Sequence, residues 1–555
     1  MAPLSRLLSL AALTASCTNA IDVRMGVSLI DHIEHQPSPL SKRDDTDLSL
    51  LYPAHNFSVP VDHFHNETKY EPHCNDTFNL RYWFDASHYK AGGPVIILQS
   101  GETSGKARLP FLQKGLLAQM AEATGGIAVV LEHRYYGTSY PVPDLSTENF
   151  RFLTTEQAMA DEAYFAANIQ FPGLEEHGDL TAKTTPYIGY GGSYAGAFNA
   201  FLRVQYPDIF WGAISSSGVT KAIDDYWQYY QAIAEYAPPD CVASHRALVS
   251  FLDGILIGKK HLSTELKTVF DMQNVTYDDD FATAITVNPI AGWQSLNWDP
   301  AVSSHKFYSY CSNITSADIL YPGTESKRSA VEKLIEESDS EAVVNVNSIL
   351  NVIGYTNLTQ VSKQVSSDKT QDQYFGNARD ATHNSLTSIE EAAWKSWPYQ
   401  YCTEWGFFQT GNTPPEYGLP LVSRTADLAY TSLVCRLAFN VTSRPNLQAV
   451  NKYGGYEISY PRLAIVDGEW DPWKPATPHA FDWGARNRSS TVSEPFILIS
   501  EAVHHWDENG VFQNETVEGT LPPKRIVDVQ KWLVETVMAW MLEWELERGS
   551  WRQDV

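Results

Sequence analysis

An α/β architecture, with a largely parallel sheet interleaved by helices, is predicted by three features of this chain. Apolar runs of strand length recur with helical patterns between them. A serine flanked by glycines sits where one run gives way to a helix. A long amphipathic segment closes the chain. The runs fall at residues 94–99, 126–132, 186–190, 211–215, 462–466 and 495–500. Helical patterns at 111–122 and 155–169 separate the first three. In the closing helix, expected over 525–547, Ile526, Val529, Trp532, Leu533, Val537, Trp540 and Met541 recur at helical spacing and would pack on the sheet. Between 217 and 454 the alternation stops, which predicts one inserted, mostly helical domain between a first sheet part (46–216) and a second (455–555). The acidic run Asp278-Asp279-Asp280 within it is expected on a solvated face.

Gly191-Gly192-Ser193-Tyr194-Ala195-Gly196 is the most informative motif. Strand, glycine-flanked serine and helix describe a nucleophile elbow, a sharp turn that lifts a serine hydroxyl above a sheet. Ala195 stands where G-x-S-x-G has its second glycine. A serine hydroxyl needs a neighbouring base that is itself held by a carboxylate. In the α/β-hydrolase arrangement those partners follow in the order Asp, then His, on loops after later strands. The run at 462–466 is followed by Asp467 and Asp471, and the run at 495–500 by His504 and His505. At this level both pairs remain open.

Composition narrows the class. The chain has 555 residues, more than one hydrophobic core usually serves, and 43% of them are apolar. A net charge of −26 argues against a nucleic-acid partner, which requires a basic face. Residues 1–20 have the layout of a secretory signal, with Arg6, an apolar stretch at 7–15 and Thr18-Asn19-Ala20 as a cleavage site. That stretch is too short to span a bilayer, no later segment holds about twenty uninterrupted apolar residues, and no membrane partner is expected. A polar segment at 21–45 contains Lys42-Arg43, a dibasic pair suited to removal of a pro-segment. Nine Asn-x-Ser/Thr sequons, at Asn56, Asn66, Asn75, Asn274, Asn313, Asn357, Asn440, Asn487 and Asn514, support export as a glycoprotein. Beyond Cys17 in the signal, five cysteines remain. The expected pairs are Cys241–Cys311 and Cys402–Cys435, with Cys74 free, although spacing alone does not fix connectivity.

Further motifs carry a resemblance. They are Val61-Asp62-His63-Phe64, Phe78-Asn79-Leu80-Arg81-Tyr82-Trp83, Glu132-His133-Arg134-Tyr135-Tyr136-Gly137, Leu153-Thr154-Thr155-Glu156-Gln157-Ala158, Cys402-Thr403-Glu404, Asp471-Pro472-Trp473 and His504-His505. With the elbow they resemble the prolyl carboxypeptidase family of serine peptidases, which includes lysosomal dipeptidyl peptidase and thymus-specific serine protease. The resemblance implies an α/β-hydrolase fold whose helical insertion covers the site. It selects Ser193, Asp471 and His505 as the catalytic residues. It places the oxyanion donors at the backbone N–H of Tyr194 and, in the turn Gly101-Glu102-Thr103-Ser104-Gly105, of Glu102. It also implies cleavage after proline, with Trp473, Phe407 and Trp405 as candidates to line a proline pocket.

The expected activity is that of a secreted carboxypeptidase acting on peptides through an acyl-enzyme, as a monomer or homodimer and without a cofactor. Alternatives are an endopeptidase or dipeptidyl peptidase on the same residues, a lipase or esterase, and a catalytically silent binding glycoprotein. The H-G-G-G oxyanion motif typical of lipases is absent from the sequence. Glu132, His133 and Arg134 are read as a buried ion-pair cluster that braces the elbow. His63, His65 and His73 are read as structural or surface residues, and no metal is expected.

Overall fold

The computed structural model describes residues 48–551, so the expected signal, the polar segment to residue 45 and Cys17 lie outside the described residues. Eight strands form the main sheet: β1 (His55–Pro60), β2 (Thr77–Asp85), β3 (Val95–Gln99), β4 (Ile127–Leu131), β5 (Tyr187–Gly192), β6 (Phe210–Ser216), β9 (Leu463–Gly468) and β10 (Phe496–Ile499). Two short strands, β7 (Ile223–Asp225) and β8 (Gly406–Phe408), pair separately. The main sheet runs in the order β1-β2-β4-β3-β5-β6-β9-β10. Every pairing from β4 to β10 is parallel. β1 and β2 add an antiparallel edge.

Burial explains which strands the sequence shows. β3, β4, β5 and β6 are buried at every position and read as continuous apolar runs. β1 and the first half of β2 alternate between exposed and buried residues, so they carry no such run. Helices α1 (Leu116–Thr124), α2 (Thr155–Asn168) and α3 (Tyr194–Gln205) make the crossovers. A 3-10 segment, Gly105–Leu112, occupies the start of the region expected to be helical from residue 111. The closing helix spans Lys524–Trp551, and its Ile526, Leu533, Val537 and Trp540 are fully buried. The Trp211 indole N–H donates to Trp540 O (2.8 Å), which fastens this helix to β6. The order of strands, with a serine turn after β5, is the α/β-hydrolase arrangement.

The chain between β6 and β9 is mostly helical. Disulfide Cys241–Cys311 joins helix Pro239–Asp253 to helix Lys306–Ile314, and Cys402–Cys435 closes a second loop; Cys74 is free. The stretch Pro239–Gly258 is long and apolar enough to cross a membrane, yet two-thirds of it is buried within the protein, as in the core helix of a globular domain. The acidic run departs from expectation. It forms the first turn of helix Asp278–Thr286, where Asp280 is buried and accepts from the Tyr430 hydroxyl (2.9 Å) and pairs with Arg379 (2.7 Å). Carboxylates there offset the unpaired N–H groups of the helix end.

Candidate active site

The site gathers at the carboxyl ends of β5, β9 and β10. Ser193 lies between β5 and α3 with φ +60° and ψ −124°, a strained backbone that a nucleophile elbow requires. Its N–H donates to Ser216 O of β6 (2.9 Å), and its own carbonyl accepts from Ala197 N–H (3.1 Å). The Ala195 departure has a steric explanation. A Cβ on Gly191 would lie 2.8 Å from the Ala195 methyl, and one on Gly101 would lie 3.4 Å from it. Glycines at both facing positions thus leave room for the extra carbon.

The loop after β9 separates the two aspartates. Asp467 accepts from His479 Nδ1–H (2.6 Å), and the His479 ring stacks on Phe496 at 3.8 Å. Asp471 is fully buried; its Oδ1 accepts from Trp473 N–H (2.8 Å) and its Oδ2 from His504 Nδ1–H (2.7 Å). Because a carboxylate only accepts, the His504 proton sits on Nδ1 and its Nε2 presents a lone pair. That Nε2 is buried and has no hydrogen-bond partner among the described residues. Burial lowers the His504 pKa below its ordinary value, partly opposed by the Asp471 charge.

His505, the expected base, is held by other partners than Asp471. Its Nδ1 faces Glu508 (3.1 Å), its backbone N–H donates to Ser217 Oγ (2.9 Å), and its φ is +37°. Despite the desolvation that opposes it, the Glu508 charge raises the His505 pKa above the ordinary value. Desolvation beside Glu508 pushes the Asp507 carboxyl up to about 7, while Asp507 accepts from Ser216 Oγ (2.5 Å). Glycine at 468 admits this loop, since a Cβ there would lie 2.2 Å from Val503 O.

The inserted segment grips both loops. Gln294 Oε1 accepts from Trp473 Nε1–H (2.8 Å) and from the Tyr229 hydroxyl (2.8 Å). Trp293 Nε1–H donates to Trp470 O, Trp298 Nε1–H to Trp506 O, and Trp506 Nε1–H to Leu296 O. Gln294, Trp298 and Glu508 carried no motif, and only contacts distant in sequence reveal them. Of the three pocket candidates, Trp473 and Phe407 meet edge-to-face (5.1 Å), and Trp473 stacks on Tyr226 (5.3 Å) with its centroid 6.5 Å from His504. Trp405 is fully buried, meets Tyr194 edge-on (5.1 Å) and donates to Thr155 Oγ1.

The Glu132-His133-Arg134 cluster is fully buried and splits its duties. Glu132 accepts from Arg81, Gly105 N–H, Thr138 N–H and Ser139 Oγ. Arg134 makes two 2.6 Å bonds to Asp161 of α2. His133 donates from Nδ1 to Arg134 O, so its Nε2 accepts from the Tyr194 hydroxyl (2.9 Å), pinning the residue after Ser193. Burial lowers the His133 pKa to about 4, which keeps that acceptor neutral. Beside the elbow, Gly101 N–H donates to Gln99 Oε1 (3.0 Å), which fixes the turn just before Glu102.

Residues 59–521 match the family model described as serine carboxypeptidase S28. The chain is 49% identical over 529 residues to a "Probable extracellular serine carboxypeptidase" of Arthroderma benhamiae, covering 94% of this chain and 73% of that protein. It is 26% identical to the "Serine protease vicPa" of Bipolaris victoriae over 83% of this chain and 85% of that one. Among solved structures it is similar to a proline iminopeptidase from Mycobacterium smegmatis, at 11% identity and a TM-score of 0.32, over 88% of this chain and 99% of that one. The chain belongs to the serine carboxypeptidase S28 family and is a serine-type peptidase.

Proposed function

We propose that this protein is an extracellular carboxypeptidase that removes C-terminal residues following proline, with Ser193 as nucleophile, His504 as general base and Asp471 as its orienting carboxylate. The observation that carries this reading is the buried Asp471–His504 bond, which leaves His504 Nε2 as an unpaired acceptor in a site built on a strained serine turn. In the forward step Ser193 Oγ attacks the peptide carbonyl carbon and its proton passes to His504 Nε2. Asp471 stabilises the resulting imidazolium. The oxyanion accepts from the N–H of Tyr194, the first residue of α3, whose amide has no acceptor within the helix, and from the N–H of Glu102. Loss of one such donor costs about 2.7–4 kcal/mol of transition-state stabilisation. Collapse returns the proton from His504 to the leaving amine, and water then hydrolyses the acyl-enzyme by the same proton path.

The aromatic surface of Trp473, Phe407 and Tyr226 is the candidate floor for a pyrrolidine ring. The insertion at 217–454 acts as the lid, and its hold on both catalytic loops supports that role. Export follows from the signal-like start and from the sequons, seven of which are exposed in the fold; Asn313 and Asn357 are only half-exposed. Digestion of a panel of peptides ending in Pro-Xaa, read by mass spectrometry, tests the assignment. Stepwise release of single C-terminal residues, lost in Ser193→Ala, is the expected outcome. Release of N-terminal dipeptides or internal fragments would reassign the mode of cleavage.

A further inference from the structure

The connection from β1 to β2, residues 61–76, is long for two neighbouring antiparallel strands and folds back on itself, with Val61 N–H donating to Asp76 O (3.0 Å). The sequence reading gave its histidines no ligand role. The fold brings two of them to one carboxylate. The candidate ligand atoms of Asp62, His65 and His73 lie within 4.8 Å of one another, and the two imidazole rings sit 5.3 Å apart. Asp62 is buried, His73 half-buried and His65 exposed, so the cluster has a rigid base and an open mouth.

The two oxygens of Asp62 are used differently. Oδ1 accepts from Phe64 N–H (2.9 Å) and from Gln157 Nε2–H (2.8 Å) of α2, which fixes the carboxylate plane. Oδ2 points at His73 Nδ1 (2.7 Å) on the His65 side of the cluster. Metal-binding carboxylates are commonly oriented in this way by hydrogen bonds to the oxygen that does not ligate. One carboxylate and two imidazoles form a donor set suited to zinc, with a fourth position open to water. Zinc–ligand distances of about 2.0–2.2 Å put tetrahedral donors roughly 3.4 Å apart. To reach that spacing the exposed His65 side chain would close toward the other two, and His73 Nδ1 and Asp62 Oδ2, now 2.7 Å apart, would separate slightly. Ligation through Nδ1 moves the His73 ring proton to Nε2.

We infer that Asp62, His65 and His73 form a zinc site that closes the β1–β2 connection on itself, at a place separate from the peptidase centre. Gln157 and Asp161 on α2 already hold this connection through Asp62 and His63, so the ion would sit on a base that is anchored to α2.

The test uses the full-length secreted glycoprotein carrying Cys74→Ser, which removes the one free thiol among the described residues. After stripping with chelator, zinc chloride is titrated by calorimetry, and cobalt(II) is added separately to read tetrahedral d–d absorption. One equivalent of zinc with a dissociation constant on the order of 1 μM is expected, with a rise of a few degrees in the unfolding midpoint. His65→Ala, at an exposed position, should weaken binding by about tenfold or more. His73→Gln, which preserves a hydrogen bond to Asp62, should do the same while circular dichroism stays unchanged. Absence of saturable binding up to 100-fold above that constant, or equal binding by wild type and His65→Ala, overturns the proposal.

Discussion

His504 and His505 share a chemistry and a loop, yet their surroundings shift their pKa values in opposite directions. Burial favours the neutral form of His504 against the opposing Asp471 charge and leaves its Nε2 free, while the Glu508 carboxylate favours the charged form of His505. A general base works only when unprotonated, so activity falls as pH drops through the His504 pKa. That pKa lies below the ordinary 6.5, and the acidic limb of kcat/KM is therefore expected below pH 6.5, measured with a Pro-Xaa peptide across pH 4–8. A limb above 6.5 would contradict the burial argument. The site residues divide sharply in how far sequence reveals them. Ser193 was legible because an elbow needs glycines around it, and the two aspartates because they follow a strand. Which carboxylate each of the twin histidines faces was not legible, since the Asp471–His504 and Glu508–His505 contacts have no sequence signature.

Elements were legible where burial was two-sided. The fully buried central strands announce themselves as apolar runs, whereas the half-exposed β1–β2 hairpin does not. The insertion was legible as helical but not in its divisions, such as the break between the helices Arg328–Glu337 and Val346–Thr356. Its Cys241–Cys311 bridge spans 70 residues and ties two of its helices together. Cys241→Ser is expected to cost roughly 2–5 kcal/mol of stability, read as a lower denaturation midpoint of the secreted protein. Because Gln294, Trp293 and Trp298 sit in the same insertion and hold both catalytic loops, kcat should fall along with stability. An unchanged kcat with lowered stability would separate the lid from the site.

For the molecule as a whole, buried ionisable groups set the dependence of stability on pH. Desolvation raises Asp507 to about 7 and Glu162 to about 8, so the folded chain holds protons that the unfolded chain has released. Such groups lose stability as pH rises toward those values. Desolvation also lowers His133 and His245 to about 4, which opposes the trend only below the ordinary histidine value of 6.5. Between pH 6.5 and 8 the carboxyl contributions act alone with the raised His505, and the unfolding temperature should decline across that window in scanning calorimetry. A flat or rising profile would show these carboxyls to be ionised in the fold. The central claim concerns which imidazole serves the serine. It is tested most directly by measuring kcat/KM of His504→Ala and His505→Ala on one Pro-Xaa peptide. The account predicts a loss of at least about 10⁴-fold for His504→Ala and no more than about tenfold for His505→Ala; the reverse order would contradict it.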